Sequence, residues 1–188
     1  KFEIVIRNLE AEKIENVSLI ENYFDEQRFS EHNVKVGRHL VKKEFAQAVE
    51  LINDIKIKAH LEEKSQDYIG ALKKLPIRLL RMYVNAYQSY LWNKPVARYL
   101  SKEGKILKKT PYSQGELVFV SSPETFKDLK IPLVGFGHEN GDNDEIQKII
   151  GQIMKEESLS YTDFIIKQIP ELTLEGELRS VIVPVQNL

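Results

Sequence analysis

An apolar stripe in the middle of the chain constrains the fold most. Apolar side chains recur there at spacings of three and four, the period of one helix face: Ile77, Leu80, Val84, Tyr87 and Leu91. Pro76 suits the first turn of such a helix, and Pro95 should break or kink it because proline has no amide hydrogen to donate. The pattern predicts a long helix that starts at Ile77 and closes at Gly104.

Strand-like runs stand near both ends of the chain, at Phe2–Arg7 and at Glu177–Val185. Two more, 105–109 and 116–120, flank a turn. The remaining segments predict helices, with a polar linker at 60–64; the helices are expected at 12–20 (weak), 41–58, 65–74, from Asp142 or Asp144 to Met154, and from Ser160 or Thr162 to before Pro170. This order predicts an α+β fold, a sheet interrupted by a helical insertion.

Length and composition exclude several classes of protein. The 188 residues suffice for one moderate domain or a core with an inserted module. The absence of cysteine excludes disulfides, thiolate nucleophiles and cysteine-ligated zinc, and the four histidines lack the spacing of metal ligands. There is no signal peptide and no apolar run near the roughly 18 residues of a membrane span, so we expect a cytoplasmic protein. Because Lys1 is not Met, we expect the chain to start inside a longer product.

Charge alone does not indicate a nucleic-acid binder, because 27 basic and 28 acidic side chains nearly cancel. Binding requires a basic surface rather than a basic total. Three basic clusters could supply one, namely Lys35, Arg38, His39, Lys42 and Lys43; Lys73, Lys74, Arg78 and Arg81; and Lys102, Lys105, Lys108 and Lys109. Such runs are usually solvated faces.

The segment 21–30, here called the motif loop, mixes three rings with amides and a guanidinium. Tyr23, Phe24 and Phe29 lie beside Asn22, Gln27 and Arg28. These groups suit a flat, hydrogen-bonding ligand such as an unstacked base. The alternative is a loop whose rings only fill the edge of a core.

Five short motifs of this chain, taken in order, resemble motifs of the TruD family of tRNA pseudouridine synthases. Asn22-Tyr23-Phe24 with Gln27-Arg28-Phe29 resembles the family's Asn-Tyr-Phe-Gly-x-Gln-Arg-Phe-Gly motif. The others are His32–Arg38 leading into Lys42–Val49, the Ala86–Asn93 stretch Ala-Tyr-Gln-Ser-Tyr-Leu-Trp-Asn, the Ile131–Gly137 loop, and Gly176 followed by Arg179. The resemblance spans nearly the whole chain.

The resemblance implies a fold, a reaction and a partner. Residues 1–53 would belong to a mixed-sheet catalytic domain, 54–176 to an inserted, largely helical TruD-specific domain, and 177–188 to a strand that returns to the catalytic domain. The family isomerises a tRNA uridine in the D arm, uridine 13, to pseudouridine without a cofactor. The implied partner is tRNA.

The resemblance also implies roles within the motif loop. Asn22 would hold the substrate and the catalytic Asp, and Phe24 would pack at the active site. Arg28 would either contact phosphate or brace the loop through a buried carboxylate. Gln27 and Phe29 would support the loop, while Asp25 and Ser30 replace family glycines and could alter its shape. Of the basic clusters, the one beside the loop (Lys35, Arg38, Lys42 and Lys43) is the predicted RNA contact.

Two family features are missing from this sequence. The catalytic Asp lies in a Gly-x-Lys-Asp motif before the loop, and no such string occurs; Lys127-Asp128 lacks the Gly, follows the loop, and is expected at a solvated helix start. The C-terminal substrate-stacking Phe is also absent. The resemblance therefore implies a fragment that is inactive without the remaining N-terminal and C-terminal parts of the catalytic domain.

Two other functions remain open on the sequence alone. One is a non-catalytic RNA-binding module of the same fold. The other is a helical protein-interaction domain in which the motif loop, with Tyr83, Tyr87, Tyr90 and Trp92, is core. The glycine-rich stretch Gly135–Gly141 is a poor match to a dinucleotide-binding loop.

Overall fold

The computed structural model describes residues 17–30, 32–137 and 143–185. In this part of the chain one short strand is followed by six helices, then by three strands, a seventh helix and two more strands. The helices are α1 Glu26–Phe29, α2 Asn33–Val41, α3 Phe45–Ile52, α4 Ile55–Glu63, α5 Tyr68–Leu72, α6 Ile77–Glu103 and α7 Asp144–Glu156. The strands are β1 Leu19–Glu21, β2 Ile106–Tyr112, β3 Gly115–Val120, β4 Lys130–Leu133, β5 Glu177–Ser180 and β6 Ile182–Pro184. This mixture confirms the α+β prediction, while the predicted strand Phe2–Arg7 lies outside the described residues.

The long helix α6 is the centre of the molecule. It begins at Ile77 and ends before Gly104 as predicted, but Pro95 does not interrupt it. Leu91, Trp92 and Val96 are fully buried around Pro95, so packing on both sides of the proline keeps the helix continuous where local preference would break it. Glycine at position 37 lets α2 approach α6 closely, because a side-chain carbon there would collide with the backbone oxygen of Tyr83.

The predicted single helix 41–58 is wrong, and so is the polar linker at 60–64. Helices α3 and α4 are separate because Asn53 adopts a left-handed conformation with φ of 50°. Asp54 then caps the next helix, its Oδ1 accepting a hydrogen bond from the amide of Lys56 at 2.7 Å. Helix α4 continues to Glu63, through the expected linker.

The strands form three antiparallel pairs, β1 with β6, β2 with β3 and β4 with β5. The predicted strand 177–185 is two strands, β5 and β6, which pair with different partners on either side of Val181. Residues 19 and 20 lie in β1, which contradicts that part of the weak helix expected at 12–20. The helix expected after Ser160 is only a 3-10 turn, Tyr161–Phe164.

One apolar cluster runs through these elements. Phe29, Leu40, Leu91, Ile131 and Ile182 belong to it, so residues from both ends of the chain share it with the helical middle. None of the helices within the described ranges is long and apolar enough to cross a membrane.

Candidate functional site

The motif loop leaves β1 at Glu21 and enters the short helix α1 at Glu26. Its extended backbone lies against the end of β5, where the amide of Asn22 donates to the carbonyl of Val181 at 2.8 Å. Asp25 has an extended backbone (φ −92°), and its Oδ1 accepts from the amide of Glu26 at 2.7 Å as a helix cap. Neither Asp25 nor Ser30, with φ of 4°, needs the left-handed backbone that would favour glycine.

Asn22 is fixed by residues that lie more than 150 positions later. Its side-chain Nδ2 donates to the carbonyl of Ser180 at 3.0 Å. Arg179 Nη2 donates to both the side-chain Oδ1 of Asn22, at 2.7 Å, and its backbone oxygen, at 3.0 Å. The amide group is therefore held in one orientation, with one hydrogen and one acceptor position left for a ligand.

Phe24 is held through its backbone by Asn93 of α6. The amide of Phe24 donates to Asn93 Oδ1 at 3.1 Å, and Asn93 Nδ2 donates to the carbonyl of Phe24 at 2.8 Å. The ring of Phe24 meets the edge of Trp92, with centroids 5.7 Å apart, and remains only half-buried. Part of an immobilised aromatic surface therefore stays open to solvent.

Two guanidinium groups lie against this same ring. The central carbon of Arg179 is 4.2 Å from the Phe24 centroid, and that of Arg28 is 5.4 Å from it. Burial lowers the pKa of Arg179, and the charge of Arg28 lowers it further. Arg28 Nε donates to the hydroxyl of Ser89 at 3.2 Å. Among the described residues Arg28 forms no ion pair, so neither alternative for its role, a phosphate contact or a brace through a carboxylate, is decided by these contacts.

The hairpin formed by β2 and β3 covers the other side of the motif loop. Tyr23 donates its hydroxyl to the carbonyl of Val118 at 3.0 Å, and burial raises its pKa. Phe29 is fully buried with its centroid 5.5 Å from that of Tyr112, so its predicted supporting role is consistent with its place in the core. Gln27, expected to support the loop as well, is instead exposed.

Ion pairs hold two of the four cations in the predicted RNA-contact cluster, which lies on α2 and the two residues after it. Arg38 Nε lies 3.5 Å from Glu157 Oε2, and Lys43 Nζ lies 3.4 Å from Asp163 Oδ1. Lys35 is exposed and Lys42 is half-buried, and neither forms an ion pair with a described residue. Two of the four positive charges therefore have no ion-pair partner among the residues that the structure describes.

The other sequence features have structural roles. Tyr87 and Trp92 are fully buried and Tyr83 and Tyr90 partly so, which confirms that this set is core. Gly135 lies so close to Glu175 that a side-chain carbon would be 2.5 Å from its carbonyl carbon, so the glycine joins two segments. Lys127 and Asp128 are exposed, but they follow the 3-10 helix Pro123–Phe126 instead of starting a helix.

Sequence reasoning missed Asn93, Ser89 and the action of Arg179 on Asn22. Asn93 and Ser89 are almost fully buried polar residues on an otherwise apolar helix face, at 1% exposure each. A buried amide or hydroxyl needs a hydrogen-bond partner, so polar residues on the buried face of this helix were the signal that the sequence offered. The partner itself could not be read from the sequence. Across the described ranges, no three His, Asp or Glu side chains come together as a metal site.

Comparison with known proteins places this geometry in a family. The family model described as tRNA pseudouridine synthase D (TruD) matches residues 53–188. The protein named probable tRNA pseudouridine synthase D of Methanopyrus kandleri is 31% identical over 131 residues, covering 69% of this chain and 30% of that protein. The tRNA pseudouridine synthase D of Aquifex aeolicus is 26% identical over 210 residues, covering 85% of this chain and 53% of that protein.

A solved structure shows the same fold. The crystal structure assigned to tRNA pseudouridine synthase D of Methanosarcina mazei superposes with a TM-score of 0.61 at 22% identity, covering 86% of this chain and 51% of that one. The chain spans about half or less of the length of the relatives it matches first, from 30% to 51%. From the family match over residues 53–188, this chain belongs to the TruD family.

Proposed function

We propose that the protein containing this chain converts uridine in tRNA to pseudouridine, at uridine 13 of the D arm. The observation that carries the proposal is the fixed pair of an amide and an aromatic ring, Asn22 and Phe24, on a loop held by Arg179 and Asn93. A detached uracil needs both an apolar surface and hydrogen bonds to its edge. Phe24 supplies the apolar surface and Asn22 supplies the hydrogen bonds, and the two residues are neighbours in one short loop.

Asn22 and Phe24 of the motif loop would perform only part of the reaction. Pseudouridine formation breaks the N1–C1′ bond, turns the uracil and forms a C5–C1′ bond, and the C5 proton is then lost. The carboxylate that acts on the sugar in this family lies in a Gly-x-Lys-Asp motif, which this sequence does not contain. Asn22 would hydrogen-bond the base, and Phe24 would keep the freed ring in place. The chain alone would therefore be inactive.

The domain division follows from the same proposal. Residues 1–53 and 177–188 would form part of the catalytic domain, and 54–176 the inserted domain. The pairing of β1 with β6 supports this division, because it brings residues 19–21 and 182–184 together. The missing N-terminal and C-terminal parts of the catalytic domain would complete the site, and the protein would act in the cytoplasm.

The tRNA would reach the motif loop along α2. Lys35 and Lys42 would contact phosphates directly because no carboxylate of the described residues forms an ion pair with them. Arg38 and Lys43 would join them only by leaving Glu157 and Asp163. The uncompensated pair should therefore contribute more to RNA affinity than the paired residues do.

Uridine conversion in the intact protein tests the activity. Asn22→Ala and Phe24→Ala should each slow conversion of tRNA uridine about 100-fold or more, since a misplaced substrate costs that much. Gln152→Ala, at an exposed position on α7, should not change the rate. Conversion at the wild-type rate by folded Asn22→Ala protein would overturn the proposal.

RNA binding tests the surface. Replacing Lys35 and Lys42 by Gln should lower the slope of log affinity against log salt by about two, one for each lost phosphate contact. The matched control replaces Lys56 and Lys58, which are exposed on α4 and belong to none of the three basic clusters. Equal effects of the two double variants would remove α2 from the RNA path.

A non-catalytic RNA-binding module is the second candidate, favoured by the lack of Gly-x-Lys-Asp in these residues. It requires tRNA binding without conversion by the intact protein. Pseudouridine in the product would rule it out.

A further inference from the structure

We propose that a cleft between the end of α2 and the segment 162–168, here called the lysine cleft, binds a backbone phosphate of the tRNA, with Lys167 supplying its main positive charge. The choice of an RNA phosphate rests on the function proposed above. Lys167 belongs to none of the three basic clusters, and nothing in the family match or the named relatives assigns it a ligand.

The lysine cleft is lined mainly by hydrogen-bond donors. It has a volume of about 320 Å³, and the residues that line it are Lys43, Thr162, Ile165, Lys167 and Gln168. The two ammonium groups can only donate, while the hydroxyl of Thr162 and the amide of Gln168 can donate as well as accept. No carboxylate is among the described residues that line the cleft, so its chemistry fits an anion better than a cation.

Lys43 lines the cleft from a strained backbone position. Its φ of 60° is left-handed, and it stands where glycine commonly ends a helix, because the amide of Glu44 bonds to the carbonyl of His39 and that of Lys43 to the carbonyl of Leu40. A lysine there is less stable than glycine, since its Cβ crowds the following carbonyl. Its Nζ reaches across to donate to the backbone oxygen of Asp163. The strain is therefore stored at a residue whose side chain forms one wall of the cleft.

Both lysines retain donors for a ligand. Lys43 Nζ spends two of its three hydrogens on Asp163, one on the backbone oxygen and one on Oδ1 at 3.4 Å. Lys167 is exposed and forms no ion pair with another described residue. Glu44 is engaged elsewhere, with its Oε2 2.6 Å from His39 Nδ1. Two ammonium groups against the one carboxylate of Asp163 leave a net positive charge, which a phosphate would neutralise.

The cleft continues the RNA surface proposed for α2. Lys42, one of the two proposed phosphate contacts there, directly precedes Lys43. A phosphodiester has two unbridged oxygens, so it can accept from Lys43 and Lys167 at once. Lys43 would exchange the carboxylate of Asp163 for the phosphate. Because α2 lies in the proposed catalytic part and the segment 162–168 in the proposed inserted domain, one phosphate would bind both.

Asp163 provides a sign test, because its carboxylate competes with phosphate for Lys43. Its Oδ2 accepts from the amide of Ser160 at 2.7 Å, and the side-chain oxygen of asparagine can accept the same bond. Asp163→Asn should therefore keep the local turn while it releases Lys43. We expect this variant to bind tRNA more tightly than the wild type. Weaker binding by folded Asp163→Asn protein would overturn the part assigned to Lys43.

The deciding experiment pairs a protein change with a phosphate change. A tRNA transcript is ethylated at random phosphates, which removes their charge, and the molecules that the intact protein still binds are separated from those it rejects. Lys167→Gln should bind unmodified tRNA about fivefold more weakly, as expected for one exposed charge contact. At one phosphate where ethylation blocks the wild type, ethylation should not affect Lys167→Gln, because that contact is already lost.

Controls separate the site from general charge and from folding. Lys127→Gln removes the same charge from an exposed position outside the three basic clusters, and it should keep the wild-type interference pattern at every phosphate. Lys167→Arg keeps the charge and should retain most of the affinity that Lys167→Gln loses. Thermal unfolding is measured for all three variants, and Lys167→Gln should unfold at the wild-type temperature because the side chain is exposed.

The failures are distinguishable. If Lys167→Gln keeps the wild-type interference pattern at every phosphate, the phosphate site is overturned while uridine conversion can still stand. If Lys167→Gln lowers the unfolding temperature of the intact protein and leaves tRNA affinity unchanged, a carboxylate elsewhere in the protein fills the cleft and the phosphate assignment is wrong. If one phosphate loses its effect but uridine in that tRNA is never converted, the proposed function fails and the phosphate site remains.

Discussion

The side chain of Asn93 makes the two hydrogen bonds to the backbone of Phe24 that a neighbouring strand would make. Its Oδ1 accepts from the amide of Phe24 at 3.1 Å, and its Nδ2 donates to the carbonyl at 2.8 Å. A side chain on α6 thus satisfies both backbone groups of a residue in an irregular loop. Because Asn93 is only 1% exposed, water cannot replace these bonds if they are lost. The position of the aromatic surface depends on this single carboxamide.

Asn93→Asp should therefore destabilise the protein by about 2 kcal/mol, since the carboxylate can no longer donate to Phe24 and a buried charge appears. Urea unfolding measures the change. The control Gln152→Glu makes the same change of charge at an exposed site and should stay within about 0.5 kcal/mol. Equal stabilities of the two variants would show that Asn93 does not hold the loop.

Two glycine substitutions should have opposite signs. Gly37→Ala places a carbon against the backbone oxygen of Tyr83 and should cost about 2 kcal/mol or more through displacement of α2 from α6. Gly151→Ala, in α7 with no atom within 4 Å of the added carbon, should stabilise by about 0.5–1 kcal/mol. Thermal unfolding of both variants checks the pair, and a stable Gly37→Ala protein would contradict the close packing.

Tyr23→Phe should cost about 1–2 kcal/mol of the free energy of unfolding. Its hydroxyl donates to the carbonyl of Val118 at 3.0 Å and accepts from the amide of Val118 at 3.3 Å, so both backbone groups lose a partner. Tyr68→Phe is the matched control, because that tyrosine is partly buried and its hydroxyl bonds to no side chain or backbone group of the described residues. A loss of equal size in the two variants would exclude a special role for Tyr23.

Acid should weaken the protein partly through Glu157. Its carboxylate accepts from Tyr87, Tyr90 and Lys94 at 3.0–3.1 Å. Burial raises the pKa of Glu157, but the bonds from Lys94 and the tyrosines outweigh burial and hold the pKa below its usual value. A lowered pKa means that its stabilisation is complete above the unfolded value and is lost as the pH falls through the folded value.

Glu157→Gln should therefore lose stability at neutral pH and show a shallower fall below about pH 4.5 than the wild type does. Unfolding followed by circular dichroism across this range measures both effects. Glu124→Gln, at an exposed position with no ion pair to another described residue, should keep the wild-type slope. Parallel acid curves for wild type and Glu157→Gln would show that other carboxylates control the transition.

The sequence predicted what depends on local pattern. The apolar stripe from Ile77 to Leu91 predicted α6, and the turn that ends at Gly115 predicted the β2–β3 hairpin. Both predictions succeeded because each signal lies within a short segment. The break at Asn53 was missed because one left-handed residue overrides an otherwise continuous apolar period. Periodicity records which face is buried but not where the backbone turns.

The candidate site was only half predictable for a related reason. Its residue types, Asn22, Phe24 and Arg28, could be read from the motif loop. Their geometry is set by Ser89, Asn93 and Arg179, which reach the loop from helix and strand positions far along the chain. Pairing over such distances leaves no local periodicity to detect.

The bonds from residues 179–181 to Asn22 also determine when this loop can take its shape. Asn22 is bonded to Ser180 across 158 positions, so those contacts close a very long chain segment. Ribosomes add about 5–20 residues each second. During synthesis the helices around α6 can form from local contacts, while the loop waits several seconds for its last partners. In a ribosome-bound chain stopped before Arg179, the helices around α6 would be folded. The motif loop would still lack the hydrogen bonds that hold Asn22.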